Sequence, residues 1–389
     1  PRILPKCELR HGIPDDHTTI VVIPALLPDA GRAQQLIDQL EVYCLANQDS
    51  NLFFALLGDF ADAPQASLPE DQEIVRVAQE RIQELNHEYA EDRPIFHFFH
   101  RPRLWNEAEG CYMAWERKRG KLEEFNRLLR GSKDTTYIVD ELPSYLLNVQ
   151  HVITLDADTG LPREAARRLI GTQIHPLNWP VLDAAECRVI RGYGLLQPRI
   201  NIIVASVARS LFTRVFAGDG GVDPYTTAVS DVYQDLFGEG IYTGKGIYHV
   251  DTFNAVLGER LPNNAILSHD LLEGSYIRAG LTTDIELVDG YPARYDAYAL
   301  RLHRWVRGDW QLLPWLFETV PSGAQGDGRE PNPLSGLSRW KIADNLRRSL
   351  VSPALVLLIL GGLTIFPGSP SFYLGLPGRS RRCPAGSAG

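Results

Sequence analysis

The sequence lacks the residue patterns that mark disulfide-stabilised, zinc-binding and nucleic-acid-binding proteins. Its five cysteines are scattered and none forms a CxxC pair, which argues against a disulfide framework or a zinc site and favours a reducing compartment. The formal net charge is −9, so basic residues are not in excess and no nucleic-acid partner is expected. The first residues contain no apolar segment, and no secretory signal is predicted there.

The sequence does contain one long uncharged run, LVSPALVLLILGGLTIF at 350–366. As a helix with a rise of about 1.5 Å per residue it is roughly 26 Å long, which suits a bilayer core. We predict a transmembrane helix at 350–366, a juxtamembrane helix at 339–349 and a truncated or disordered tail at 367–389. A buried core helix is the alternative, but Pro353 and the Gly361–Gly362 pair are better tolerated in membranes. Arginines flank the run on both sides and leave its orientation open.

The first 150 residues alternate between short apolar runs and segments with helical periodicity, with Asp29 as the predicted N-cap of the first helix. This pattern predicts an α/β domain over residues 18–330, with residues 1–17 as a lead-in. Its doubly wound sheet should bind ligands at the carboxyl ends of its strands. After residue 180 the alternation weakens, and segments dense in Gly, Tyr, Asp and Asn are predicted to be loops that shape a polar pocket. The four runs expected to form buried parallel strands are 18–25, 52–58, 95–99 and 152–155.

Acidic residues follow two of the predicted strands. Asp59 and Asp62 come after the second, although turn chemistry alone would also explain them. Asp156 and Asp158 follow the strand at 152–155, and two carboxylates at i and i+2 on a strand would point to the same face. Such a pair suits Mg²⁺ on a diphosphate leaving group. With Thr159 it also matches the DxDxT pattern of metal-dependent phosphohydrolases, in which Asp156 would be the nucleophile.

Downstream residues supply candidates for the rest of a sugar-transfer site. Asp270, in AILSHDLLEG, is a candidate base that would remove the proton of an acceptor hydroxyl; the alternative is a helix N-cap. Lys121, Arg301 and Arg304 are candidates for diphosphate binding, and Trp305 offers a flat platform for a sugar ring.

The stretch 295–317 combines tryptophans with arginines, and we predict an interfacial amphipathic helix there. An ordinary packing helix is the alternative. The three tryptophans of this stretch are Trp305, Trp310 and Trp315.

The ordered motifs resemble those of GT-A processive glycosyltransferases similar to cellulose synthase. Asp59 matches the family aspartate that holds the uracil, Asp156 and Asp158 match its DxD, Asp270 ends the counterpart of its T-E-D, and RLHRW at 301–305 matches its Q-x-x-R-W. The departures, with histidine and arginine where that family has glutamate and glutamine, and the longer segments GYGLLQPRI, YTGKGIYHVD and HRWVRGDWQ resemble the cyclic β-1,2-glucan synthases more specifically.

The resemblance implies an inverting glucosyltransferase in the bacterial inner membrane, with its catalytic domain facing the cytoplasm. Its implied ligands are UDP-glucose, a glucan acceptor, membrane lipid and Mg²⁺ or Mn²⁺, and its implied partners are the membrane and phosphorylase-like regions of a much longer enzyme. Asp59, Asp62, Lys121, Asp156, Arg301 and Arg304 would bind the donor, and Asp156 and Asp158 the metal. Asp270 would be the base, and Trp305 would bind the acceptor. Another processive β-glucan synthase, a phosphohydrolase and a non-catalytic sugar-nucleotide-binding module are the alternatives.

Overall fold

A computed structural model describes residues 3–139, 141–183, 187–203, 209–216, 231–323, 328–367 and 372–373. The strands are β1 (Thr19–Leu27), β2 (Leu52–Phe60), β3 (Phe96–Arg101), β4 (Leu104–Asn106), β5 (Cys111–Met113), β6 (His151–Thr154), β7 (Thr159–Gly160), β8 (Val181–Asp183), β9 (Arg188–Arg191), β10 (Leu195–Ile202), β11 (Gly246–His249), β12 (Ala279–Asp289), β13 (Thr319–Ser322) and β14 (Gly328–Pro331). The helices are α1 (Ala30–Ala46), α2 (Asp71–Tyr89), α3 (Arg117–Leu128), α4 (Ala165–Gln173), α5 (Leu211–Phe216), α6 (Val232–Phe237), α7 (Val250–Leu257), α8 (Asp270–Ile277), α9 (Tyr295–Gln311) and α10 (Gly336–Thr364).

The central sheet has eight strands in the order β3-β2-β1-β6-β11-β10-β12-β7. Strands β3, β2, β1 and β6 are parallel to one another, and β10 is parallel to β12. Strand β11 runs antiparallel to both β6 and β10. The carboxyl ends of β1, β2, β3, β6, β10 and β12 therefore meet at one edge of the sheet, where β11 begins.

Helices cover both faces of this sheet, as expected for strands that are apolar on both sides. Alternate residues of β1 enter two separate cores, Ile20 and Val22 on one face and Val21 and Ile23 on the other. Side chains of α3, α7 and α8 complete the first core, and those of α1, α2 and α4 complete the second. The predicted α/β class is confirmed.

The first half of the chain follows the sequence-based prediction closely. Each of the four predicted strands is present, and the side chain of Asp29 accepts a hydrogen bond from the Arg32 N–H at 2.8 Å, which confirms it as the N-cap of α1. An amphipathic helix follows β2 as expected.

The prediction of loops after residue 180 is wrong for the residues of β10, β11 and β12, which are three of the eight strands of the central sheet. The glycines that suggested loops permit close packing instead. A Cβ on Gly194 would lie 2.0 Å from Ile277 Cγ2, and one on Gly246 would lie 2.0 Å from the Leu196 carbonyl oxygen. The first part of the predicted loop segment DPYTTAVSDVYQDLFGEGIYTGKGIYHVDTF, residues 223–230, lies outside the described residues.

The predicted helix at 295–317 forms as α9, followed by a short 3-10 turn at Leu313–Leu316. Trp305 and Trp310 are exposed, but Trp315 is only 1% exposed and donates a hydrogen bond to the Tyr276 hydroxyl at 3.1 Å. The interfacial assignment is therefore wrong for Trp315, which belongs to the core.

The two helices predicted at 339–349 and 350–366 form one continuous helix, α10, which ends at Thr364. Its amino-terminal half packs on the domain through Ile342 and Leu346, whereas its apolar carboxyl-terminal half is exposed. Helix α10 is long and apolar enough to cross a membrane, and its most apolar part is almost entirely exposed. Most of the predicted tail lies outside the described residues.

Candidate functional site

Four charged side chains from separate elements meet at the carboxyl edge of the sheet. Asp156 follows β6, Lys118 lies in the first turn of α3, Lys245 directly precedes β11, and Asp270 is the first residue of α8. The antiparallel β11 is essential to this arrangement, because its amino end lies beside the carboxyl end of β6, with Gly246 opposite Thr154.

Asp156 is held between two ammonium groups. Lys118 Nζ lies 2.6 Å from Asp156 Oδ1, and Lys245 Nζ lies 3.3 Å from Asp156 Oδ2. Burial acts to raise the pKa of Asp156, but the charges of Lys118 and Lys245 outweigh it and hold that pKa well below the ordinary range. The carboxylate is therefore ionised at neutral pH.

Asp156 and Asp158 lie in a tight turn and not on a strand, since β6 ends at Thr154 and β7 begins at Thr159. The Thr159 N–H donates to the Asp156 carbonyl oxygen at 3.0 Å and closes this turn. The expectation that strand alternation places both carboxylates on one face is thus wrong.

Asp158 is the exposed member of the pair. Desolvation raises its pKa, Asp289 and Asp156 add to that effect, and Lys245 and Arg301 oppose it. Its carboxylate makes no hydrogen bond within the described residues, and carboxylate oxygens are the ligands that Mg²⁺ and Mn²⁺ prefer. Asp158 could therefore offer one carboxylate to a divalent cation, whereas both oxygens of Asp156 are already paired with lysines, and the metal site stays a prediction.

A chain of polar contacts fixes the turn to the neighbouring strand β12. Thr159 Oγ1 donates to Asp289 Oδ1 at 2.6 Å, and the other oxygen of Asp289 binds the ammonium of Lys245. The Gly290 N–H donates to the Asp158 carbonyl oxygen at 3.1 Å. Thr159 is thus a buried residue of β7 that anchors the turn.

Asp270 presents a buried oxygen, Oδ1, that accepts no hydrogen bond within the described residues. This oxygen lies 3.6 Å from His269 Nδ1. The preceding residue, His269, holds the N-cap position of α8, so Asp270 is not the cap residue that the alternative reading supposed. Burial raises the pKa of Asp270, and His269 and Lys118 oppose that rise. A carboxylate that is desolvated and has an oxygen without a hydrogen bond is well suited to accept a proton.

Gly244 brings the backbone close to this carboxylate. It has φ +86°, and a Cβ there would lie 2.9 Å from each oxygen of Asp270. The Gly244 carbonyl oxygen accepts a hydrogen bond from Lys118 Nζ at 2.8 Å. Lys118 therefore links the Asp156 and Asp270 sides of the site.

The predicted donor-binding residues Asp59 and Lys121 form a separate buried cluster. Both oxygens of Asp59 accept hydrogen bonds from the Arg101 guanidinium at 2.9 Å, and Lys121 Nζ lies 3.0 Å from Asp59 Oδ2. Burial lowers the pKa of Lys121 to about 8, and its ammonium also donates to the Ala25 carbonyl oxygen at 2.7 Å. Both side chains are enclosed, so their roles in donor binding stay predictions. Asp62 is exposed and binds Arg117 at 2.7 Å.

Helix α9 packs against the segment that leads into Asp270. A Cβ on Gly308 would lie 2.4 Å from Ser268 Cβ, and Gln311 Oε1 accepts the Leu267 N–H at 2.8 Å. The same helix carries the predicted residues Arg301, Arg304 and Trp305.

On α9, the Arg301 guanidinium stacks on the Trp305 ring at 4.6 Å and its charge acts on Asp158. Arg304 is exposed and has no ion pair within the described residues. Arg301 and Trp305 thus face the rim of the site, and their ligand roles stay predictions.

The sequence reasoning missed several residues of this site. Lys118 is one helical turn from the predicted Lys121. To choose between them one must know which side of α3 faces Asp156. Lys245 and Asp289 are brought in by β11 and β12, which were not predicted as strands. Glu273, one helical turn after Asp270 on α8, was not predicted as part of the site.

Comparison with known proteins agrees with the motif resemblance. No family model matches the chain. Over 351 residues, 89% of its length, the chain is 48% identical to the cyclic beta-(1,2)-glucan synthase NdvB of Rhizobium meliloti (strain 1021). The chain is a relative of the cyclic β-1,2-glucan synthases. It spans only 12% of the length of NdvB, and the resemblance is confirmed for that segment.

Proposed function

We propose that this chain is the glucosyl-transferring region of a cyclic β-1,2-glucan synthase. In this role it transfers glucose from UDP-glucose to a hydroxyl of a growing β-1,2-glucan. The observation that carries the proposal is the buried Oδ1 of Asp270, which makes no hydrogen bond within the described residues and lies across Lys118 from the Asp156–Asp158 turn. A candidate base on one side of a lysine, with carboxylates that could hold a cation on the other, suits displacement of a diphosphate at a sugar carbon.

The architecture supports a GT-A fold. The strand order β3-β2-β1-β6 is that of a nucleotide-binding half-sheet, and ligands of such sheets bind at the carboxyl edge. The proposed site lies at that edge.

In the proposed reaction Asp270 accepts the proton of the acceptor hydroxyl as the new bond to the sugar carbon forms. The bond from that carbon to the diphosphate breaks, and a single displacement inverts the configuration. Lys118 lies where it can oppose the charge of the leaving diphosphate, which makes it a better candidate than the enclosed Lys121. When bound at Asp158 and Asp156, Mg²⁺ or Mn²⁺ would supply further neutralisation of that charge.

The outer residues complete the proposal. Asp59 and Asp62 would hold the uridine, Arg301 and Arg304 the diphosphate, and Trp305 the acceptor sugar. The chain would work in the bacterial inner membrane, anchored by α10 and facing the cytoplasm. Its partners there would be lipid and the further membrane and phosphorylase-like regions of the synthase.

The test measures the Asp270→Asn variant and the unsubstituted protein, each in the full-length form and in membranes. Release of UDP from UDP-glucose should fall by about 10²- to 10⁴-fold, the usual contribution of a general base. Binding of UDP with Mn²⁺, measured by calorimetry, should persist because the Asp156 side is intact.

Asp251→Asn is the matched control, since Asp251 also lies in the first turn of a helix but pairs with Arg130 outside the site. Undiminished UDP release by Asp270→Asn would refute the assignment of the base. Linkage analysis of the glucan distinguishes the alternative synthases, because β-1,3 or β-1,4 linkages would overturn the proposed product.

A further inference from the structure

Behind Asp270 lies a buried pair of side chains that the proposed reaction does not use. His269 Nδ1 lies 2.8 Å from Glu273 Oε1, one helical turn along α8. The same nitrogen lies 3.6 Å from Asp270 Oδ1. His269 is 6% exposed and Glu273 is 2% exposed, so water does not screen the contacts between them.

Placing two ionisable groups at this depth is costly unless each neutralises the other. Burial acts to lower the pKa of His269, but the carboxylates of Glu273 and Asp270 outweigh burial and raise that pKa above its usual value. The imidazole is therefore favoured in its charged form, with an Nδ1–H that donates to Glu273.

The charged ring acts on Asp270 in turn. Among the groups that oppose the rise in the pKa of Asp270, His269 has the largest effect and Lys118 of α3 the next. Glu273 and Asp156 act in the opposite direction. Tyr242 also faces this group, and its own pKa is raised by burial and by the same carboxylates.

We propose that Glu273 and His269 form a positioning pair for the base: Glu273 orients the His269 ring and keeps it charged, and the ring keeps Asp270 in the ionised state that takes the acceptor proton. The proposal rests on the proposed function. The proton passes from the acceptor oxygen to Asp270 while the bond to the diphosphate breaks, and it leaves to solvent when the product departs. His269 and Glu273 touch neither sugar.

The kinetic test uses His269→Gln, which keeps a polar side chain but cannot carry the charge. Without the cation the pKa of Asp270 rises, so the acid limb of the kcat profile should move to higher pH by about 1 to 3 units, the effect of an opposite charge at this range. The KM for UDP-glucose should stay within about twofold, because the donor side is unaltered.

His97→Gln is the matched control, since His97 is equally buried but packs against Phe53 and Phe99. It should leave the acid limb in place. A uniform fall of kcat in His269→Gln at every pH, with no shift of the limb, would show a merely structural role and overturn the proposal.

A second measurement does not depend on turnover. Nuclear magnetic resonance of the protein labelled with ¹⁵N-histidine should show His269 titrating above about 6.5, the ordinary value. In Glu273→Gln that titration should fall by about 1 to 3 units, whereas Glu123→Gln, a buried glutamate paired with Arg119, should leave it unchanged.

The two measurements separate the two proposals. If UDP-glucose is not turned over but the titration of His269 shifts in Glu273→Gln, the positioning pair stands and the proposed function is refuted. If UDP-glucose is turned over but the titration of His269 is the same in Glu273→Gln as in Glu123→Gln, the proposed function stands and the proposed positioning pair is refuted.

Discussion

At the scale of single residues, Gly244 is the position at which the site leaves no room for a side chain. Its φ of +86° disfavours any other residue, and an added Cβ would meet the Asp270 carboxylate at 2.9 Å. Backbone strain and a clash with the base are therefore combined at one position, and a matched glycine can separate them.

We expect Gly244→Ala to lose about 1 to 3 kcal/mol of unfolding free energy from the strained φ and most of its UDP release from the displaced carboxylate. Gly323→Ala is the control, because Gly323 has φ +75° and no atom of the described residues lies within 4 Å of its Cβ position. It should show a similar loss in urea unfolding with normal turnover. Equal turnover in the two variants would mean that contact with Asp270 has no consequence.

At the same scale, the sequence located the acidic residues better than the cations. Asp156, Asp158 and Asp270 follow apolar runs, so hydrophobic pattern alone indicates their places in the chain. Lys118 and Lys121 cannot be ranked in this way, since both lie in one charged segment and the orientation of α3 decides which faces Asp156. Pairing of this kind depends on tertiary packing, which a single sequence does not reveal.

At the scale of elements, two tryptophans of the stretch 295–317 that look alike in sequence have different surroundings. Trp315 Nε1 binds the Tyr276 hydroxyl inside the core, while Trp305 is 39% exposed beneath Arg301. We therefore expect Trp315 to contribute to the stability of the fold and Trp305 to contribute to sugar binding.

Trp315→Ala should lower the free energy of unfolding by about 3 to 5 kcal/mol, as expected for a buried aromatic side chain. Trp305→Ala should change it by less than about 0.5 kcal/mol and should instead raise the KM for the glucan acceptor. Urea unfolding and initial rates at varied acceptor concentration measure the two effects. Equal loss of stability in both variants would contradict this division.

The elements of the parallel half-sheet were predictable because buried parallel strands are continuous apolar runs separated by amphipathic helices. The strands β10 to β12 were not predictable, because the glycines and polar residues in and around them are also typical of loops. Those glycines serve the approach of Gly194 to Ile277 and of Gly246 to Leu196, contacts that are long-range in sequence.

At the scale of the whole molecule, α10 has two halves with different surroundings. Lys341 donates to the Gly240 carbonyl oxygen at 2.9 Å, and Ile342 and Leu346 are buried, whereas the residues after Ser349 are mostly exposed and apolar. The first half belongs to the domain and the second is free to meet lipid.

We expect a chain that ends at Ser349 to stay folded and to be released from membranes by alkaline carbonate, which should not release the whole chain. A chain that ends at Ser335 should unfold, because it lacks the buried side chains of the first half. Circular dichroism and sedimentation after the wash measure both outcomes. Retention of the chain ending at Ser349 in washed membranes would contradict the assignment of α10 as the anchor.

The contacts of α9 have a geometrical consequence. Trp310 Nε1 donates to Ser349 Oγ at 3.0 Å, at the point where α10 leaves the domain, and two positions earlier Gly308 abuts Ser268, two residues before Asp270. These two contacts tie the position of Asp270 to the point where α10 leaves the domain. If α10 spans a bilayer and Asp270 is the proposed base, the distance between the bilayer surface and the place where a glycosidic bond forms is set by the packing of α9.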